Sequence, residues 1–168
     1  MRILFVNEKL GFFGGVEQNV ADAAAGLRGK GHACLLAWGE RTDRAPEEYA
    51  RLFDGAWPCA ELGACPAGAR GLGQIAAESR PDAIYYHKAA RLPLVGSGGA
   101  RTVRMVHDHD LCCPRRHKYF LRTGRVCHHK ADWRCWLDGA FVARDRRGRL
   151  GARWVSLADH SREMDRNK

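Results

Sequence analysis

Hydrophobic residues in the first 107 positions alternate between short continuous runs and residues at helical spacing. Residues 2–7 form a mostly apolar run, which is typical of a parallel strand covered on both faces. The apolar residues that follow are three or four positions apart, which predicts a helix that Gly29 and Gly31 end. They are Val16, Val20, Ala24 and Leu27.

The same alternation continues as far as His107. Strands that alternate with helices at this spacing predict βαβ units with right-handed crossovers. The expected fold is therefore α/β, a Rossmann-like parallel sheet with helices on both faces. The further predicted elements are strands at 32–38, 55–59, 82–86 and 101–106 and helices at 46–53 and around 72–76.

A Cys/His-rich segment at about 108–150 interrupts the alternation and is interpreted as an irregular insertion. It shows neither the helical nor the strand period. Within it, Thr123-Gly124 predicts a turn between residues 118–122 and 125–127, which suggests a hairpin.

The end of the chain carries weaker signals. Residues 145–151 are rich in Arg and Gly and predict a turn or loop. An apolar run at 153–157 predicts a further strand, and Ser161 is placed to cap a final helix.

Length and composition fit one folded domain. The chain has 168 residues, of which 45% are hydrophobic, a content that excludes a disordered chain. No run approaches the ~20 apolar residues of a membrane span. Residues 1–7 are too short and too soon polar for a signal peptide, so a cytoplasmic protein is expected.

Basic residues concentrate in the second part of the chain. Residues 1–100 contain 11 Lys and Arg against 11 Asp and Glu, whereas residues 101–168 contain 17 against 8. This asymmetry indicates an anionic partner: a phosphate-bearing substrate, an anionic membrane face or nucleic acid. A solvated basic surface is the alternative.

The segment between the first strand and the first helix contains Gly14 and Gly15. Ligands of open α/β sheets bind at the carboxyl ends of strands, where a helix N-terminus offers free N–H groups. Glycines let a ligand approach the backbone, so these two are candidates to line a phosphate or sugar pocket. The segment matches neither G-x-G-x-x-G nor a P-loop, and an ordinary flexible turn is the alternative.

Several motifs, in this order along the chain, resemble those of family-4 retaining glycosyltransferases. Gly14-Gly15-Val16-Glu17 follows the opening strand, and His107-Asp108 follows a later one. Further matches to residues that many members carry are Cys113-Pro114, Gly124, Cys127 and Ser161. Such enzymes have the GT-B architecture of two Rossmann-like domains around a cleft.

The resemblance implies that residues 1–168 are the N-terminal, acceptor-side domain of such an enzyme. The implied reaction transfers a sugar, with retention, from a nucleotide-sugar donor to a saccharide or phospho-lipid-linked acceptor. In this family the C-terminal domain holds most of the donor site. That domain is absent here, so the chain alone is expected to be inactive. The GT-B class usually needs no metal for transfer, so no cofactor is expected for the reaction.

The resemblance also assigns roles to individual residues. In similar enzymes a His at the position of His107 contacts the donor sugar near the reacting carbon, which makes His107 the candidate catalytic residue. Asp108 or Asp110 is then placed to orient His107 or to receive the acceptor's proton. A structural histidine at a strand end is the alternative for His107. The candidate substrate-binding residues of the opening motif are Gly14, Gly15 and Glu17.

Four cysteines lie close together in the insertion: Cys112, Cys113, Cys127 and Cys135. Zinc takes four tetrahedral N or S ligands and often staples segments that lack a core, so these residues are candidate ligands of a structural zinc. Their spacing contains no C-x-x-C knuckle. Free thiols or a labile disulfide are the alternatives, and a cytoplasm disfavours the disulfide.

Basic and aromatic residues are interleaved in the same insertion, where Arg115, Arg116 and Lys118 precede Tyr119 and Phe120. This combination suits an anionic membrane surface or nucleic acid, or aromatics that pack on the sheet edge. Bacterial members of the resembled family often act on lipid-linked or lipopolysaccharide acceptors at the inner membrane. The three basic residues are therefore expected to bind a phospho-acceptor, with the protein peripheral on the inner face of the plasma membrane. The alternative functions are a non-enzymatic, metal-stapled nucleic-acid-binding module and a different nucleotide-binding α/β enzyme.

Overall fold

A computed structural model describes residues 1–63, 65–88, 99–107, 113, 118–120, 123–129, 133–137, 142–144 and 150–152. The chain divides into two compact units, Met1–His107 and Asp108–Lys168. The second unit begins at the position where the predicted insertion begins. Among the described residues, no helix is long and apolar enough to cross a membrane.

The first unit contains the predicted strands and helices in the predicted order. They are β1 (Arg2–Leu10), α1 (Gly15–Arg28), β2 (Ala33–Arg41), α2 (Pro46–Ala50), β3 (Gly55–Pro58), α3 (Leu72–Ser79), β4 (Ala83–Lys88) and β5 (Arg101–Arg104). A 3-10 turn at Ala60–Leu62 follows β3.

Several element ends differ from the prediction. β1 and β2 extend past their apolar runs because their backbones stay paired, and Lys9 forms a 3.1 Å ion pair with Glu40 opposite it. α2 ends early because the chain tightens after Ala50 into turns in which Phe53 N–H bonds to the Ala50 carbonyl. β5 ends at Arg104, although Met105 N–H still donates to the Tyr86 carbonyl over 2.8 Å.

The five strands of the first unit form one parallel sheet in the order β3-β2-β1-β4-β5. The predicted Rossmann-like parallel sheet is confirmed. The chain builds outward from β1 to β3 on one side and then crosses to β4 and β5 on the other. The order thus reverses between β1 and β4, which is the topological switch point where ligands of such sheets bind.

Helices cover both faces of the sheet, as predicted. Alternate residues of β1 point to opposite faces, so Phe5 packs in one core with α1 and α2, while Leu4 packs in the other with α3. The largest buried residues of the first core include Phe5, Tyr49 and Phe53, and those of the second include Leu4, Leu72, Ile75 and Ile84. Apolar burial of this kind stabilises a fold by about 25 cal/mol per Å².

The second unit contains the predicted hairpin around Thr123-Gly124. Tyr119 and Val126 pair antiparallel, and Cys127 N–H donates to the Lys118 carbonyl over 2.7 Å. Gly124 has a φ of 65°, in the left-handed region that glycine adopts without a steric penalty.

The rest of the second unit includes a short helix, α4 (Arg134–Leu137), and an antiparallel pair, β6 (Val142–Arg144) and β7 (Leu150–Ala152). The prediction of a loop through residue 151 was wrong at its end, because Leu150 and Gly151 pair with Arg144 and Ala143. The predicted strand at 153–157 and the helix after Ser161 lie outside the described residues.

Candidate functional site

The candidate site lies at the carboxyl edge of the parallel sheet. β1 ends at Leu10 and leads through a short loop into α1, which begins at Gly15. His107 follows β5 on the same edge, because β1, β4 and β5 all run parallel. The two features that the sequence singled out, the Gly14-Gly15 turn and His107, therefore belong to one edge of the sheet, separated by β4.

Gly14 and Gly15 expose backbone at the start of α1. Gly14, the residue before α1, has an extended backbone and, as a glycine, no side chain that could cap the helix. A side-chain carbon at Gly15 would meet nothing within 4 Å, and one at Gly14 would meet only the Glu17 carboxylate, at 3.6 Å. The first N–H groups of a helix have no intrahelical acceptor and carry a partial positive charge. The turn is thus open to an anion or a hydroxyl.

The backbone of this loop requires a glycine at position 11, a residue that was not among the predicted site residues. Its φ is 122°, a conformation that residues with a side chain rarely adopt. A side-chain carbon there would also lie 2.6 Å from the Arg44 carbonyl oxygen. The only signal in the sequence was its place directly after the β1 run.

The loop is anchored to the segment between β2 and α2. Phe12 N–H donates to the Arg44 carbonyl over 2.9 Å, and the Arg44 guanidinium donates to the Phe13 carbonyl over 3.2 Å. Lys9 places its ammonium 3.8 Å from the centre of the Phe13 ring, a favourable cation–π distance. The glycine turn therefore begins from a fixed backbone.

Glu17 lies beneath the loop with 3% of its surface exposed. Its carboxylate accepts a hydrogen bond from Asn7 Nδ2 at 3.3 Å, and Asn7 also donates to the Lys9 carbonyl at 2.9 Å. The Tyr49 hydroxyl donates to the Glu17 carbonyl over 3.0 Å. Burial, and then the Glu17 charge, raise the pKa of Tyr49 well above its ordinary value. The structure thus brings Glu17 together with Asn7, which the sequence had placed only at a strand end.

His87 lies beside His107 and is a second residue that sequence reasoning missed. Its Nδ1 is 3.1 Å from His107 Nε2. Its ring stacks on Phe5, with centroids 5.6 Å apart and planes inclined by 20°. Burial, and to a lesser extent His107, lower the pKa of His87 to about 4, so His87 is neutral near pH 7. The sequence signal that could have identified His87 is a histidine near the end of β4, the strand that precedes β5 and His107.

The remaining predicted site residues belong to the second unit. Lys118 donates from Nζ to the His129 carbonyl over 2.7 Å. Cys113, Cys127 and Cys135 are half-buried and form no disulfide within the described part of the chain. No three His, Cys, Asp or Glu side chains converge on a metal position within the described part of the chain. Asp108, Asp110, Cys112, Arg115 and Arg116 lie outside it, so their roles and the zinc site stay predictions.

Comparison with known proteins gives one assignment. No curated protein and no solved structure gives a significant match to the chain. The family model of Glycosyltransferase Family 4 matches residues 13–142, which is most of the chain and includes both the Gly14-Gly15 turn and His107. This chain therefore belongs to glycosyltransferase family 4.

Proposed function

We propose that this chain is the N-terminal, acceptor-side domain of a retaining glycosyltransferase of GT-B architecture. It takes part in the transfer of a sugar from a nucleotide-sugar donor to a saccharide or phospho-lipid-linked acceptor. The observation that carries the proposal is the common position of the Gly14-Gly15 turn and His107 at the carboxyl edge of a Rossmann-like sheet, beside its switch point. Ligands of such sheets bind at that point.

The chemistry of retention explains why these groups suit the reaction. As the sugar leaves its nucleotide, positive charge develops on the sugar and negative charge on the leaving phosphate. Preorganised donors and dipoles at those positions lower the barrier. The open start of α1 offers such donors for a phosphate or hydroxyl oxygen. His107 contacts the donor sugar, and Asp108 orients His107 or receives the acceptor's proton.

Glu17 contributes to substrate binding through the loop. Its carboxylate is buried and held by Asn7, directly below the turn that Gly14 begins. A carboxylate in the first turn also interacts favourably with the helix dipole. Glu17 therefore holds the start of α1 in the conformation that exposes the Gly14 and Gly15 backbone.

The second unit supplies the positive charge for an anionic acceptor. Residues 108–168 contain 15 Lys and Arg against 8 Asp and Glu, and Arg115, Arg116 and Lys118 form the first basic cluster after His107. Two or three such cations match the charge of a phospho-lipid headgroup at a cytoplasmic membrane face. Family membership favours this acceptor role over a nucleic-acid-binding module.

The experiment is a turnover screen of nucleotide sugars with the full protein that contains this chain. Release of the nucleoside diphosphate is measured in the presence of saccharide and phospho-lipid acceptors. We expect one donor to be turned over, and His107→Ala to lower kcat by roughly 10²- to 10³-fold. The matched control is His32→Ala, because His32 directly precedes β2 and so lies at the opposite edge of the sheet. Turnover that is unchanged in His107→Ala would refute the role of His107.

Metal analysis of the purified protein tests the structural zinc. One equivalent of zinc per chain, with Cys113, Cys127 and Cys135 alkylated only after chelation, would support a site held by Cys112 and these three residues. Protein without bound metal, in which the three thiols react at once, would exclude it. Transfer itself is expected to continue in the presence of a chelator.

A further inference from the structure

Two imidazoles meet at the carboxyl edge of the sheet, and only one of them is part of the proposed catalytic machinery. His87 is 2% exposed and lies in β4. Its ring is packed on Phe5 and contacts Tyr85, with centroids 4.2 Å apart. Side chains packed in this way occupy one rotamer. His87 is therefore a fixed point against which the His107 ring, in the segment after β5, is placed.

The bond between the two rings can be made in two ways. A neutral imidazole carries one proton, so one of its nitrogens donates and the other accepts. Either His107 Nε2–H donates to His87 Nδ1, or His87 Nδ1–H donates to His107 Nε2, across the same 3.1 Å. In the first arrangement the remaining proton lies on His87 Nε2. In the second it lies on His107 Nδ1.

Burial of the far nitrogen of His87 distinguishes these arrangements. His87 Nε2 is fully buried and has no hydrogen-bond partner among the described residues. If His87 accepted at Nδ1, its own proton would be on Nε2, as a buried N–H without an acceptor, which is rare in folded proteins. If His87 donates from Nδ1, Nε2 carries only a lone pair, and its proton is used in the bond.

We propose that His87 is a positioning residue that donates from Nδ1 to His107 Nε2 and so holds His107 in one orientation as the Nδ1–H tautomer. The lone pair of His107 Nε2 is then engaged, and the proton of His107 lies on Nδ1. In this form both nitrogens of His107 are defined: Nδ1 carries the proton, and Nε2 accepts from His87. The partner of a histidine's other nitrogen sets its tautomer in the same way at other sites.

The consequence for catalysis rests on the proposed function, although the tautomer does not. A histidine held as an Nδ1–H donor stabilises oxygen atoms that gain negative charge, such as a sugar hydroxyl or leaving phosphate oxygen. It does not remove a proton from the acceptor. That task then falls to a different group, which in this chain is the proposed role of Asp108.

The test is the tautomer of His107 in the full 168-residue chain labelled with 15N-histidine. Long-range 1H–15N spectra at pH 7.5 distinguish Nδ1–H from Nε2–H rings, and the His107 signals are those lost in His107→Gln. We expect His107 to be the Nδ1–H tautomer in the wild type. In His87→Phe, which keeps a ring against Phe5 but removes the donor, His107 is expected to shift towards the Nε2–H form. His87→Asn, whose amide can donate from nearly the same position, should restore the Nδ1–H form.

The wild-type spectrum tests the proposed tautomer of His107 even if a His87 variant does not fold. An Nε2–H tautomer of His107 in the wild type would overturn the proposal, and so would an unchanged tautomer in folded His87→Phe.

In the full protein, His87→Phe should lower kcat by roughly tenfold to a hundredfold with little change in the KM of the nucleotide sugar, and His87→Asn should recover most of the lost kcat. An Nδ1–H tautomer without turnover of any nucleotide sugar would count against the proposed function alone. Turnover together with an Nε2–H tautomer would count against the role of His87 alone.

Discussion

Asn7 donates a hydrogen bond from Nδ2 to the buried Glu17 carboxylate over 3.3 Å, and so joins the second half of β1 to the first turn of α1. Both residues are buried and polar, and they lie on either side of the glycine loop. Burial of a charged group without its partner costs more than the bond itself contributes. The integrity of the turn that the proposed function uses therefore depends on this pair.

Removal of the Asn7 amide should destabilise the fold. Asn7→Ala leaves a buried carboxylate without this donor, and we expect a loss of about 2 kcal/mol in the free energy of unfolding, measured with urea. The matched control is Gln18→Ala, because Gln18 makes a similar amide–carboxylate bond to Asp22 on the exposed face of α1, at 2.9 Å. Exposed pairs of this kind contribute only about 0.2–0.5 kcal/mol. Equal losses in the two variants would contradict the importance given to burial.

Gly11 and Gly15 are expected to respond differently to the same substitution. Gly11→Ala places a side chain at a φ of 122° and against the Arg44 carbonyl oxygen, so we expect a loss of about 1–3 kcal/mol in urea unfolding. Gly15→Ala meets open space and should change the stability by less than about 0.5 kcal/mol.

The KM of the full protein then tests whether the backbone at Gly15 contacts substrate. If substrate approaches the backbone of the turn, Gly15→Ala should raise the KM of donor or acceptor in the full protein although the fold is intact. A Gly15→Ala protein with wild-type stability and wild-type KM would show that the turn does not contact substrate.

Much of the first unit could be predicted because buried parallel strands appear in a sequence as short apolar runs. The Gly14-Gly15 turn and His107 could likewise be placed, since each follows such a run. The importance of Gly11, Asn7 and His87 was not predictable in this way. Gly11 is constrained by Arg44, Asn7 by Glu17 and His87 by His107. These are contacts between separate elements, and a hydrophobic pattern carries no information about them.

His87 should make the stability of the first unit depend on pH. Burial lowers its pKa to about 4 in the folded state, against about 6.5 in an unfolded chain. Between these values the unfolded state binds more protons, so the free energy of unfolding falls as the pH falls from 6.5 towards 4. The expected contribution of His87 is a loss of about 2 kcal/mol between pH 7.5 and pH 5.

The comparison of wild type with His87→Phe isolates this contribution. Urea unfolding is measured for both at pH 8.5, 7.5 and 5, and the shared groups that do not interact with His87 cancel in the difference between them. The difference should be constant from pH 8.5 to 7.5 and then move by about 2 kcal/mol in favour of His87→Phe at pH 5. A difference that is the same at all three pH values would mean that His87 is not held neutral by its surroundings.

The basic cluster of the second unit should direct the protein to anionic lipid. Each Lys or Arg near an anionic membrane contributes about 1 kcal/mol to binding. We therefore expect Arg115→Gln/Arg116→Gln to weaken co-sedimentation with phosphatidylglycerol vesicles by roughly tenfold or more. The matched control is Lys30→Gln/Arg51→Gln, which removes the same charge from two exposed positions of the first unit. Binding of the wild type should fall steeply with added salt, because exposed charges are screened within about 10 Å at 0.1 M. Equal binding to neutral and anionic vesicles, or equal losses in the two double variants, would remove the membrane from the proposed partners and leave a water-soluble phosphate-bearing acceptor.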